Sequence, residues 1–107
     1  MDVTNSTVQL NTPDGKMDSY VAQPKDAGTY PGIVVIQEAF GVNSHIKKVT
    51  ERIAAEGYVA IAPDLYRGKV ATTPELAHEL SRGLPQTRAL GDIRSAAAYV
   101  DHLGAKK

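Results

Sequence analysis

Four β-branched aliphatic residues in succession, Ile33-Val34-Val35-Ile36, restrict this chain more than any other feature. Branching at Cβ stiffens the side chain and favours extended backbone. A half-buried strand alternates apolar with polar residues, and this run does not alternate. It predicts a strand from Gly32 to Gln37 that is covered on both faces, as in a parallel sheet layered with helices. The residues that follow supply the crossover such a sheet needs. Glu38-Ala39-Phe40-Gly41-Val42-Asn43 reads as a loop, and a helix is expected from Ser44 with Asn43 as its N-cap. Ile46, Val49 and Ile53 give that helix one apolar stripe, and Gly57 is placed to end it. Tyr58 to Ala62 predicts the next buried strand, stopped at Pro63. Gly32 to Ala62 is thus a β-α-β unit, right-handed as such crossovers nearly always are.

The flanking segments complete an α/β chain. Thr7 to Leu10 and Lys16 to Ala22 are expected to pair as an antiparallel hairpin around Pro13-Asp14-Gly15. Met17, Ser19 and Val21 fall on one face of it, and Asp18, Tyr20 and Ala22 on the other. Thr73-Pro74-Glu75 is a helix start, with Leu76, Leu80 and Leu84 as the apolar stripe of a short helix. A last helix is expected from Gln86 to Leu103, with Leu90, Ile93, Ala97 and Val100 facing the core. Gly104 would close it, ahead of a polar tail Ala105-Lys106-Lys107. At 107 residues, 1–107 is read as one domain. Twelve basic residues balance twelve acidic ones, so the basic footprint of a nucleic-acid or anionic-membrane binder is missing. The absence of cysteine excludes disulfides, thiolate metal sites and a cysteine nucleophile within these residues. No apolar run is long enough for a membrane span, and no signal peptide is visible, so a cytoplasmic location is expected.

Gln37-Glu38-Ala39-Phe40-Gly41-Val42-Asn43, followed by Ala62-Pro63-Asp64-Leu65-Tyr66, resembles the dienelactone hydrolase family. The likeness extends through His45-Ile46-Lys47, Ala54-Ala55-Glu56-Gly57-Tyr58-Val59-Ala60 and Gly91-Asp92-Ile93. It implies an α/β-hydrolase-like mixed sheet of about four strands, with helices on both faces, and an ester or lactone hydrolase ancestry. The family's Gly-x-[Cys/Ser]-x-Gly elbow is not among these residues. None of Ser6, Ser19, Ser44, Ser81 and Ser95 has glycine at both −2 and +2. The family's later Asp and His are missing with it. The chain is therefore expected to be a truncated hydrolase, not catalytic alone.

The resemblance assigns Glu38 to the family's active-site glutamate, which affects ionisation of the nucleophile, and the Ala39 N–H to half of an oxyanion hole. Standing alone, without catalytic partners, Glu38 reads more simply as a leftover carboxylate, capping or solvated in a loop. His45, in the first turn of its helix, can approach Glu38; two ligands do not close a metal site, so no metal and no cofactor is expected. His78 and His102 read as surface residues. Asp64 reads as turn chemistry after Pro63. His45, Tyr66 and Arg67 are nominated to face a ligand, with Arg67 or Arg82 a partner for the carboxylate of an anionic lactone. Two further readings are a non-catalytic homo-oligomeric module binding a small molecule, and a fragment of a longer or two-chain hydrolase. In the family's strand order the Gly32 to Gln37 edge is covered by the nucleophile strand. Left bare, it is expected to pair with a second copy as a homodimer.

Overall fold

The computed structural model describes residues 1–106, with side chains to residue 104. β1 (Val3–Thr12) and β2 (Gly15–Pro24) form the expected hairpin, each longer than the alternation predicts. Thr12 pairs with Gly15 across Pro13-Asp14, and Val3 with Pro24 at the far end. β3 is Gly32–Val34, α1 is Ser44–Ala55 and β4 is Val59–Pro63. The sheet runs β1-β2-β4-β3, with β3 parallel to β4 and the other neighbours antiparallel. α2 (Pro74–Arg82) and α3 (Gln86–Lys106) follow.

β3 is shorter than the strand expected from Gly32 to Gln37, and Pro63 is the reason. The parallel ladder alternates donors: Val59 N–H donates to the Pro31 carbonyl at 3.0 Å, and Val35 N–H to the Ile61 carbonyl at 2.7 Å. The next donor in this series belongs to residue 63, and proline has no N–H. The ladder stops there, and residues 36–37 run on unpaired.

The sheet separates two cores, with helices on both faces as expected. Against α1, Ile46 packs with Val35, Ala60 and Ala62, flanked by Ile33, Val49 and Ile53. Against α3, Ala96 and Val100 pack with Met17, Val21, Val59 and Ile61. Asn43 caps α1, its side chain accepting from Ile46 N–H at 3.1 Å. Thr73 caps α2 likewise.

Three helical expectations are corrected. α2 buries Ala77 rather than its leucine stripe, and Leu76 is exposed. α3 turns Asp92, Ala96, Val100 and Gly104 inward, while Leu90 and Ala97 are exposed. A spacing of four defines this face, and it contains a carboxylate that an apolar count passes over. Nor does α3 stop before Gly104: it continues through it to Lys106, and the glycine serves close packing instead of a cap, since a Cβ there would strike the Tyr30 carbonyl. Ala105 and Lys106 are thus helical rather than tail, and Lys107 lies outside the described residues.

Candidate functional site

The carboxyl end of β3 leads into residues 37–43, and the carboxyl end of β4 into 64–71. Ligands of open α/β sheets gather beyond such strand ends. Four hydrogen bonds join the two loops or close them. The Gln37 side chain is buried and its oxygen accepts from Leu65 N–H at 3.0 Å. The Tyr66 hydroxyl donates to the Ala39 carbonyl at 2.9 Å. Ala71 N–H donates to the Phe40 carbonyl at 2.9 Å. Gly41 N–H donates back to the Glu38 carbonyl at 3.0 Å, closing a turn over Glu38-Ala39-Phe40-Gly41.

That turn sets the direction of one amide. The peptide between Glu38 and Ala39 is trans, so its N–H and carbonyl point opposite ways. The Glu38 carbonyl is drawn into the turn, and the Ala39 N–H therefore faces out of it. No acceptor for it is found among the described residues. Glu38 and His45 project beside it, Oε1 and Nε2 3.8 Å apart, both side chains more than half exposed. The spacing is that of a loose, solvated pair.

The other nominated residues lie elsewhere. Tyr66 is buried, its hydroxyl bracing Ala39, and with Arg67 it lines a cleft of about 470 Å³. The Arg67 guanidinium points to α3, where Nη2 meets Asp92 Oδ1 at 2.9 Å. Arg82, His78 and His102 are exposed. No group of three or more ligating side chains that could hold a metal occurs among the described residues. No described helix is long and apolar enough to cross a membrane. Clefts of about 510, 470 and 280 Å³ flank the site, and Glu38 and Ala39 line none of the three.

Asp64 organises the second loop, accepting from Tyr66 N–H at 3.2 Å and Gly68 N–H at 2.7 Å. Burial pushes its carboxyl above the ordinary 3.8, against the lowering effect of those two N–H groups. The folded state thus holds the Asp64 proton more tightly than the unfolded chain. Its contribution to stability is largest below the ordinary carboxylate range and falls as pH rises through the raised value. A carboxyl-carbon NMR titration of Asp64 is expected to give a midpoint above 3.8; a midpoint below it would mean that the loop amides outweigh burial.

Gln37, Gly41 and Asp92 were not singled out from the sequence. Gln37 carried a signal, since it continues the α1-side positions 33 and 35 into a buried polar residue. Gly41 and Asp92 depend on contacts with residues 69 and 67 that local spacing does not contain.

Comparison with known proteins agrees with this geometry. The dienelactone hydrolase family matches residues 17–107. A Synechocystis protein, carboxymethylenebutenolidase by name only, is 38% identical over 111 residues, covering 96% of this chain and 45% of its own length. An Escherichia coli protein of the same name is 37% identical over 94 residues, covering 82% and 35%. A crystal structure from Klebsiella pneumoniae, a dienelactone hydrolase by name only, superposes with a TM-score of 0.86 at 33% identity, covering 98% of this chain and 46% of that one. The chain thus spans under half the length of these relatives. On its sequence and its four-stranded α/β-hydrolase-like sheet, this chain belongs to the dienelactone hydrolase family.

Proposed function

We propose that these residues form the oxyanion-binding, glutamate-bearing side of an ester or lactone hydrolase site, and that they do not perform the covalent reaction alone. The observation that supports this best is the Ala39 N–H, held outward by the Glu38–Gly41 turn at the carboxyl end of β3. When a thiolate or alkoxide attacks an ester carbonyl, charge develops on the carbonyl oxygen. An amide already aimed at that oxygen stabilises it without reorganisation. The intermediate then expels the alcohol, and water hydrolyses the acyl-enzyme that remains. The attacking group is not among these residues, which hold no cysteine and no serine on a glycine-flanked elbow. Glu38 stands where its charge bears on the ionisation of a nucleophile placed beside β3. Relatives named carboxymethylenebutenolidase point to a lactone as the substrate class. The shared length, under half of each relative, favours a nucleophile on polypeptide outside these residues. A small-molecule-binding role is the second reading, since His45 borders the cleft of about 510 Å³ and Tyr66 and Arg67 that of about 470 Å³, although Glu38 and Ala39 border none of the three.

The test is reconstitution. This chain is mixed with a polypeptide comprising the part of the Klebsiella protein that it does not match. Hydrolysis of an activated ester is expected to appear, and Glu38→Gln to reduce it roughly tenfold or more through the nucleophile's ionisation. Assembly with no hydrolysis, or hydrolysis indifferent to Glu38, contradicts the proposal.

A further inference from the structure

Ala39 joins two peptide groups, and each is held by a different part of the chain. The Glu38 carbonyl before it accepts from Gly41 N–H within the turn. The carbonyl of Ala39 itself accepts from the Tyr66 hydroxyl at 2.9 Å, across 27 residues of sequence. Because a peptide group is planar, two such bonds leave little rotation on either side of the Ala39 Cα. The turn bond alone holds only the first of the two planes. The Tyr66 ring also packs on the turn, since a Cβ at Gly41 would lie 3.3 Å from its Cδ2.

The phenol is itself tied down through its neighbours. Tyr66 N–H donates to Asp64 Oδ1 at 3.2 Å. Leu65, one residue before, is gripped on both sides of its backbone: its N–H donates to Gln37 Oε1, and its carbonyl accepts from Arg88 Nη2. Arg67, one residue after, has φ +54°, a conformation that a residue with a Cβ leaves unless something holds it. Its guanidinium meets the Asp92 carboxylate. Arg88 and Asp92 stand four residues apart, on one face of α3. One turn of α3 therefore clasps the chain before and after Tyr66. An amide helps a transient oxyanion most when it need not reorient as the charge appears.

We propose that Tyr66 is a positioning residue for the Ala39 amide, and that Arg88 and Asp92 extend this control to α3. The inference rests on reading that amide as an oxyanion donor. Every contact in it lies inside the described residues and is buried or half-buried, so it holds whatever polypeptide completes the site.

Tyr66→Phe keeps the ring and removes the bond. In the 107-residue chain it is expected to lower the NMR order parameter of the Ala39 N–H from about 0.85 toward about 0.6. Amide exchange at Gly41 should rise roughly tenfold, with exchange at Val59 in β4 unchanged. Arg88→Met, on α3, is expected to loosen Ala39 in the same way but less, and to add nothing in the Tyr66→Phe background. In the reconstituted hydrolase, Tyr66→Phe should lower kcat several-fold at unchanged KM. A tyrosine that only supports the fold would lower the urea midpoint and leave Ala39 ordered. An Ala39 amide as rigid as in the parent, or a full further effect of Arg88→Met after Tyr66→Phe, overturns the proposal. If Ala39 loosens as expected while the parent mixture never hydrolyses the ester, the oxyanion reading fails and the control of Ala39 by Tyr66 stands.

Discussion

Arg67→Ala is expected to cost this fold about 3–5 kcal/mol, read as a lowered midpoint in urea unfolding at neutral pH. The Asp92 carboxylate has no exposed surface, and the Arg67 guanidinium at 2.9 Å is its only ion-pair partner among the described residues. Deleting the arginine strands a buried charge whose other oxygen, Oδ2, already lacks a partner. Asp92→Ala is expected to cost less, because Arg67 is 21% exposed and can turn to water. A third variant separates charge from backbone. Arg67 has φ +54°, a left-handed conformation that costs a residue with a Cβ about 1–2 kcal/mol. Arg67→Gly also loses the guanidinium but removes that strain, so it should be roughly 1 kcal/mol less harmful than Arg67→Ala. Losses under about 1 kcal/mol in both would show that water reaches Asp92 and that the pair matters little.

Gly41→Ala is expected to dislodge the Glu38–Gly41 turn and to lower stability by about 2–4 kcal/mol. Gly41 has φ +97°, which L side chains rarely adopt. Its absent Cβ would also lie 2.8 Å from the Lys69 carbonyl oxygen, where backbone rather than a flexible side chain must yield. Strain and overpacking therefore add at one position. The consequence reaches the site directly, because the Gly41 N–H holds the Glu38 carbonyl and so sets the direction of the Ala39 amide. Amide exchange at Gly41 should become faster in the variant, while that at Val59 in β4 is retained. A variant as stable as the parent, with Gly41 still protected, would mean that the two loops have room to separate.

The elements whose cause is local were legible in advance. The unbroken aliphatic run of residues 33–36 announced a strand with a core on each face, although Ile33 and Val34 are only half-buried and Ile36 is exposed. Asn43 and Thr73 announced helix starts that their side-chain hydrogen bonds confirm. The end of β3 was less so, because it depends on a missing N–H at Pro63 in another strand. The buried face of α3 was misjudged for a related reason. Leu90 looks like core and Asp92 like surface until Arg67, 25 residues earlier, arrives to neutralise the carboxylate. At the site, Glu38 and Ala39 came from a motif resemblance. The brace from Tyr66 to Ala39 spans 27 residues, and no local pattern encodes it.

The most direct measurement is the initial rate of activated-ester and lactone hydrolysis by the purified 107-residue chain, over a range of substrate concentrations. The rate is expected to equal that of buffer, to show no saturation, and to be unchanged by Glu38→Gln. Saturable turnover that Glu38→Gln abolishes would place a complete catalytic apparatus within these residues and contradict the division of the site described above.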